Sequence, residues 1–324
     1  MASQSMMDMS CSDQFGSCLR ASDEGQSSMA EQQILRPFTL PAVPRRPADG
    51  HKGTFGKILV MGGSIGMSGA VCLSSVAALR AGSGLVTAVV PRAIQSIVAS
   101  YEPCVMTVGL RDDTESGLSE VSEEIILSLI EGRDALAVGP GLGKVSAAAR
   151  LVESLLRLAK CPLVVDADGL NLAAEAHLFS RERQCPCVIT PHPGEFARLT
   201  GRSIADIEKY REEIAQEFAE SHSLVVALKG PGTIVTDGIR LFRNTTGNSG
   251  MGTGGSGDVL TGIVVSLLGQ QLPPFEATAL AVHAHGLAGD VAAEQFTERG
   301  MIASDLLKCL PEAWRRLENA RLPA

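Results

Sequence analysis

Several kinds of feature are missing from the chain, and each absence removes a class of function. No apolar run approaches the roughly 18 residues needed to cross a bilayer, so no membrane span is expected. Basic residues are in deficit, 28 Lys+Arg against 36 Asp+Glu, with a net charge of −8. Nucleic acid is thereby excluded as a main partner, because phosphate backbones require a concentrated basic surface. A local basic pocket for a small phosphorylated ligand remains compatible with that balance. The eight cysteines, at 11, 18, 72, 104, 161, 185, 187 and 309, form no C-x-x-C pair, and several sit inside apolar runs. They read as buried thiols of a reducing compartment. Cys185-Pro186-Cys187 has no second cluster to complete a zinc site. The opening segment is rich in Met, Ser, Gln and acidic residues and has neither a basic n-region nor an apolar h-region. It is no secretory signal, and a cytoplasmic protein is expected.

What remains is a long, well-filled core sequence. Hydrophobic residues make up 45% of the 324, ample for one large core. No internal repeat and no proline- or serine-rich linker interrupts positions 50–318. The expected organisation is a poorly ordered N-terminal tail over 1–44, one catalytic domain over 45–318 and a short C-terminal tail over 319–324. Short β-branched runs predict strands over 58–61, 85–90, 135–138, 162–165, 188–190, 224–228, 233–236 and 241–243. They are apolar on both faces, as strands covered on each side should be. Helical patterns fall over 69–81, 122–130, 146–159, 203–220, 257–268, 275–295 and 303–316. In the segment 203–220, Ile204, Ile207, Ile214, Ala215 and Phe218 share one face opposite charges, an amphipathic surface helix. The alternation predicts an α/β fold: one mostly parallel sheet with right-handed crossovers and helices on both faces.

Several strands run into polar or glycine-rich turns: Gly62-Gly63-Ser64, Gly139-Pro140-Gly141-Leu142-Gly143, Asp166-Ala167-Asp168 and Pro191-His192-Pro193-Gly194-Glu195. Ligands of open α/β sheets bind beyond the carboxyl ends of the strands, where these turns should converge. The most informative turn spans Asn244 to Asp258 and leads into an apolar helix. Its glycines allow backbone N–H groups to approach an anion, and the helix start adds partial positive charge. Gly254 to Gly257 thus suit a phosphate or a phosphoryl transition state. Asp258 in the first helical turn could be a cap alone. Four glycines in the seven residues before it exceed what a cap needs, and a long polar loop favours a ligand.

The spacing Gly252-x-Gly254-x-x-Gly257 matches a dinucleotide fingerprint, but it follows a polar segment late in the chain rather than an early strand. No G-x-x-x-x-G-K-[ST] occurs. A second element runs from Val225 through Lys229-Gly230-Pro231-Gly232-Thr233 to Asp237: strand, tight turn, strand. Lysine at a strand end can reach phosphate oxygens; read alone, the same pattern equally describes a hairpin with an exposed lysine.

Taken together, these motifs make the chain resemble the NAD(P)H-hydrate dehydratase family of the ribokinase-like superfamily. The resemblance runs from about Arg45 to Leu310 and rests on His51-Lys52-Gly53-Thr54-Phe55-Gly56, Gly62-Gly63-Ser64, Gly139–Gly143, Asp166-Ala167-Asp168, Thr190–Glu195, Lys229–Thr233 and Asn244–Asp258 in the family's order. It implies repair of the S epimer of hydrated NADH or NADPH, by phosphorylating the added hydroxyl and expelling phosphate. The His192-Pro193-Gly194-Glu195 turn is similar to that of members using ADP and releasing AMP. By the same resemblance Asp258 is the base and Gly255, Ser256 and Gly257 the anion hole. Lys229, Gly230, Pro231, Gly232 and Thr233, with Gly257, would bind the adenine nucleotide. Ala70, Gly141, His192 and Asp258 would contact the hydrated dinucleotide. Mg²⁺ is implied without assignable ligands, as is a homotetramer. The residues before the domain are too few for the epimerase often fused in the family, so the epimerase is expected to be a separate protein. Ser249, Gly252 and Ser256 depart from the family's usual Pro, Ala and Thr, which should loosen the loop.

Smaller signals fall either side of the line. His192 between prolines reads as a ligand contact rather than packing, with a structural loop histidine as the alternative. Asp166 and Asp168 read equally as caps or as substrate or metal-water contacts. His283 and His285, on an alanine-rich helix, read as core or interface histidines, and Met61, Met67 and Met251 as packing. Two other functions fit parts of the pattern: a small-molecule kinase of the same superfamily, and a nucleotide-binding regulator without chemistry.

Overall fold

The computed structural model describes residues 38–113, 117–119 and 121–320. All belong to one compact unit, Pro37–Ala324; the tail expected over 1–44 lies outside the described residues up to position 37, and the C-terminal tail from 321. The fold opens with β1 (Lys57–Met61), α1 (Ser68–Arg80), β2 (Leu85–Pro91), α2 (Arg92–Tyr101) and β3 (Met106–Leu110). A small antiparallel pair, β4 (Asp112–Asp113) and β5 (Gly117–Leu118), precedes α3 (Glu123–Ile130), β6 (Ala135–Val138), α4 (Ser146–Leu158), β7 (Leu163–Val165) and α5 (Asp168–Glu175). Next come β8 (Cys187–Ile189), α6 (Pro193–Thr200), α7 (Ile204–Lys209), α8 (Arg211–His222), β9 (Val225–Leu228), β10 (Ile234–Thr236) and β11 (Leu241–Arg243). Three helices close the chain: α9 (Ser256–Gly269), α10 (Pro274–Gly300) and α11 (Ala303–Asn319).

Nine strands form one sheet in the order β11-β10-β9-β8-β7-β6-β1-β2-β3. From β9 to β3 every pairing is parallel, and β9-β10-β11 is an antiparallel meander at one edge. The order reverses between β1 and β6: the chain first builds outward to β3, then returns to the other side of β1. Strand alternation splits the core in two. Ile58 and Val60 join the layer under α1, α9, α10 and α11; Leu59 and Met61 join the layer under α3, α4, α5 and α8. Because both faces are covered, the strands are apolar throughout rather than alternating. Twelve of the fourteen residues of α9 are buried. It lies close against α1, where a Cβ built on Gly262 would fall 2.1 Å from the Ser74 carbonyl oxygen.

The eight predicted strands are all present. Segment 203–220 differs: Tyr210, at φ −122° and ψ 47°, divides it into α7 and α8. Helix α2 and strand β3 escaped the sequence reading. β3 is the edge strand, and four of its five residues are exposed or half-exposed, which removes the continuous apolar signal. Met67 is 49% exposed rather than packed, because it sits on the turn after β1. Met61 is buried, and Met251 packs partly buried against the core. Cys72, Cys185, Cys187 and Cys309 are buried thiols, whereas Cys104 is exposed. Among the described residues no helix is long and apolar enough to cross a membrane.

Candidate active site

The site gathers at the carboxyl ends of β1, β6, β7, β8 and β9 and is completed by the start of α9. The first two turns lock to each other through backbone. Gly63 N–H donates to the Pro140 carbonyl at 2.8 Å, and Ser64 Oγ donates to the Gly141 carbonyl at 2.9 Å. Gly141 has φ +61°, and a Cβ there would sit 3.0 Å from Ala70 Cβ and 2.7 Å from the Met67 carbonyl oxygen. Ala70 and Gly141, distant in sequence, therefore meet on one wall.

β7 delivers Asp166, which is 1% exposed. Its Oδ1 accepts from Lys229 Nζ at 2.9 Å, and its Oδ2 accepts from Thr261 Oγ1 at 2.6 Å. Asp166, expected as a cap or as a substrate or metal-water contact, forms an ion pair that joins β7, β9 and α9. Asp168 Oδ2 accepts the Gly143 N–H at 2.9 Å and ties the β6 turn to α5. Lys229 is not an exposed hairpin lysine. Its side chain is 20% exposed, and Glu195 Oε2 lies 3.9 Å from the same Nζ. Burial disfavours its charge, but Asp166 and Glu195 outweigh that and hold its pKa above the ordinary lysine value. A Cβ built on Gly257 would lie 3.1 Å from Nζ, so the ammonium stands against the tip of α9. The turn itself is built as expected: β9 and β10 pair antiparallel across Gly230 to Thr233, with Thr233 Oγ1 donating to the Gly230 carbonyl at 3.0 Å.

α9 begins at Gly255, in the left-handed region at φ +92°, with no side-chain cap. Among the described residues, the backbone N–H groups of Thr253, Gly254, Gly255, Gly257 and Asp258 donate to nothing. Unspent amides in such a conformation are suited to an anion, and the helix dipole adds to that. Gly254 has open space on its Cβ side. Asp258 lies in the first turn, and no side chain among the described residues hydrogen-bonds its carboxyl. Burial pushes its pKa up to about 7, Asp166, Glu195 and Asp168 add to the rise, and Lys229 opposes it. A carboxylate poised near neutrality can take a proton at physiological pH.

His192 is more structural than the sequence suggested. It is the N-cap of α6: its Nδ1 accepts the N–H groups of Gly194 at 3.0 Å and Glu195 at 3.4 Å. Glu195 Oε2 returns a bond from the His192 N–H at 2.8 Å. The ring is half-exposed, and burial, with Lys229 and Arg198, holds its pKa below the ordinary value. Sequence reasoning passed over Thr261, whose i+3 spacing from Asp258 puts both on one face of α9, and Glu195, the lysine's second carboxylate. No group of three or more His, Cys, Asp or Glu side chains among the described residues could hold a metal by itself. A recess around Phe179, Arg183 and His222 lies at the amino-terminal end of the strands. Arg183 is committed there to the Phe179 and Ser223 carbonyls.

An open parallel sheet with a glycine-capped helix holding a carboxylate at its tip is the arrangement of ribokinase-like proteins, and the chain has that fold. It superposes with TM-score 0.73 on a ribokinase-like superfamily protein from Enterococcus faecalis at 28% identity, covering 84% of this chain and 91% of that one. The family model for NAD(P)H-hydrate dehydratase matches residues 58–312, and the chain belongs to that family. It is 31% identical, with TM-score 0.72, to an ADP/ATP-dependent NAD(P)H-hydrate dehydratase from Bacillus subtilis, covering 85% of this chain and 94% of that one. The bifunctional NAD(P)H-hydrate repair enzyme Nnr of Moorella thermoacetica is 47% identical over 280 residues, 86% of this chain. The chain spans about half the length of that curated relative, 52%.

Proposed function

We propose that the chain dehydrates the S epimer of hydrated NADH and NADPH, using ADP and releasing AMP and phosphate. The observation that carries this reading is the tip of α9, where unspent amides, the Lys229 ammonium and a carboxyl with a pKa of about 7 adjoin one another. Asp258 takes the proton of the ring hydroxyl as that oxygen attacks the terminal phosphorus of the nucleotide and AMP departs. Amides of Gly255 and Gly257 face the charge that builds on the phosphoryl oxygens; the Ser256 amide, expected as a third donor, is instead spent on the Thr253 carbonyl at 3.4 Å. Lys229 and the turn Gly230, Pro231, Gly232, Thr233 hold the nucleotide. The ring carbon–oxygen bond then breaks toward phosphate, a far better leaving group than hydroxide. Loss of the neighbouring ring proton restores the dihydropyridine, so water is removed at the cost of one phosphoanhydride. Ala70, Gly141 and His192 contact the hydrated dinucleotide, His192 through its half-exposed ring edge.

Mg²⁺ fits this chemistry as a cation carried by the nucleotide phosphates, since the described residues offer oxygen donors but no group of three or more His, Cys, Asp or Glu to cage it. It would neutralise phosphate charge, while this chain's residues orient the phosphoryl group and hold the proton. The B. subtilis neighbour was co-crystallised with ATP/Mg²⁺. We further infer one catalytic domain over 45–318, a cytoplasmic location and a homotetramer, with an epimerase activity supplying the S form. Exposed Ile97 and Tyr101 on α2, with Phe296 and Ile302, supply apolar surface for contact between copies. A silent regulator would have no use for a carboxyl held near neutrality. The test is incubation with hydrated NADH and Mg²⁺ plus ADP, ATP or neither, following return of dihydropyridine absorbance. Recovery with ADP is expected; no recovery with either nucleotide refutes the reading.

A further inference from the structure

The glycine loop between Asn244 and Ser256 has little hydrophobic side-chain substance of its own, and α10 supplies what fixes it. At the loop's entry Thr246 Oγ1 donates to the His283 carbonyl at 2.9 Å, and the Gly247 N–H donates to Asp290 Oδ2 at 3.0 Å. Asn248 Nδ2 donates to Asp290 Oδ1 at 3.1 Å. The two chains approach so closely that a Cβ on Gly286 would fall 2.2 Å from Thr246 Oγ1, and one on Gly289 would fall 2.3 Å from Met251 Sδ. At the loop's exit His285 is the α10 side chain that, among the described residues, hydrogen-bonds the helix tip. His285 Nε2 lies 2.9 Å from the Ser256 carbonyl oxygen and 3.4 Å from Ser256 Oγ.

A carbonyl accepts only, so Nε2 must carry the hydrogen. Ser256 is itself 6% exposed, so water does not readily replace that donor. Ser256 is also the sole residue from 253 to 258 whose N–H is spent, on the Thr253 carbonyl at 3.4 Å. It is the fixed point between the free amides on either side.

We propose that His285 is a positioning residue of the anion hole: a neutral strut from α10 that fixes the peptide between Ser256 and Gly257, and so aims the Gly257 N–H at the phosphoryl group. The peptide plane explains the leverage. The Ser256 C=O and the Gly257 N–H belong to one rigid unit and point in opposite directions. Holding the carbonyl from behind therefore sets the direction of the amide in front. Burial and nearby Lys229 drive the His285 pKa down to about 4, with the bond to the Ser256 carbonyl opposing. The strut accordingly keeps one protonation state throughout the working range, and it adds no second cation beside Lys229.

The inference rests on the proposed phosphoryl transfer for its kinetic consequence but not for its structural one, and the test separates the two. His285→Gln places an amide nitrogen where Nε2 stood, and His285→Leu removes the donor at similar size. Hydrogen exchange of the peptide covering 253–260 is measured first, without substrate. Expected is faster exchange in His285→Leu alone, with melting temperature and exchange elsewhere close to wild type. Turnover with hydrated NADH and ADP is then expected to fall roughly 10- to 100-fold in His285→Leu, as for a misaimed oxyanion donor. The KM for ADP should change little, and His285→Gln should recover most of kcat with an unaltered pH profile. Two results overturn the proposal: unchanged local exchange and kcat in His285→Leu, or equal losses in both variants that track a lowered melting temperature. If wild-type enzyme is itself inactive on the hydrate, the dehydratase reading fails while the exchange result still decides the strut.

Discussion

Of the helices that begin at the crevice with an acidic residue in the first turn, α6 and α9 differ in what becomes of their first amides. α6 starts at His192, whose ring takes the N–H groups of Gly194 and Glu195, while Phe196 N–H bonds the His192 carbonyl at 2.9 Å. Its acid, Glu195, is engaged by the His192 N–H and lies near Lys229. α9 starts at Gly255, which has no side chain to offer; the amides of Gly255, Gly257 and Asp258 remain unspent, and the Asp258 carboxyl has no hydrogen-bonding side-chain partner among the described residues. The first helix start is closed by its own residues and organises the wall. The second is left open, and its free groups are those that an anion and a hydroxyl proton would use. The acid at the same position of a helix can thus be part of a cap or stand unengaged; the state of the neighbouring donors tells the two apart.

The largest expected effect comes from removing the open helix's acid. Asp258→Asn should lower turnover by roughly two to four orders of magnitude, as loss of a general base does, with the fold intact by circular dichroism. Near-normal turnover would take Asp258 out of the mechanism and make α9 no different from α6. The same substitution carries a sign on stability. The Asp258 pKa in the folded protein is raised from 3.8 to about 7, chiefly by burial. Its contribution to stability is therefore full below the unfolded value and is lost as pH rises through about 7. Asparagine cannot ionise, so Asp258→Asn should melt above wild type at about pH 8, with the gap closing toward about pH 5. Wild-type turnover should rise through about pH 7 and level off above it. A profile flat between about pH 5.5 and about 8.5 would break the assignment of Asp258 as base.

Next in size is the cation that stands between the two helices. Lys229→Met should weaken ADP binding roughly 10- to 100-fold, the worth of about 1.5–3 kcal/mol for a hydrogen bond to a charged group. It also strands Asp166, a buried carboxylate left with Thr261 alone, and should lower the melting temperature. Adding Asp166→Asn removes the stranded charge, and calorimetry should show part of the lost stability restored without the lost affinity. If the double variant melts no higher than Lys229→Met, the pair does not stabilise the fold in this way.

Much of this was legible in sequence because the strands are apolar on both faces and end in turns of restricted composition. Asn244 to Asp258 could be singled out by glycine density alone, and Lys229 by its place between two β-branched runs. What could not be read was pairing across the sheet. Asp166 meets Lys229 only because β7 and β9 flank β8 and end level with it. His285 looked like core because its helix is alanine-rich; that it reaches the Ser256 carbonyl depends on how closely α10 approaches the loop at Gly286 and Gly289. The sequence presents 166–168 and 191–195 as turns after strands, yet they contain the starts of α5 and α6. Polar cap residues and proline give a loop and a helix start the same local appearance.

The smallest expected effect tests the closed helix. His192→Ala deletes the acceptor for two amides of α6, a change that costs about 1 kcal/mol at an N-cap. For a domain of this size it should lower the melting temperature by roughly 2–4 °C. If His192 only caps, kcat and the KM for the hydrate should stay within about threefold of wild type once stability is matched. If its half-exposed ring also contacts the dinucleotide, the KM for the hydrate should rise while ADP affinity stays constant, because Lys229 and the Gly230–Thr233 turn are untouched. His192→Asn separates the two roles further. Asparagine is among the best N-caps and should restore stability, yet it is too short to reproduce the imidazole edge. A variant that regains its melting temperature but not its KM would give α6 a ligand-binding role alongside α9. One that regains both would leave α9 alone in meeting substrate.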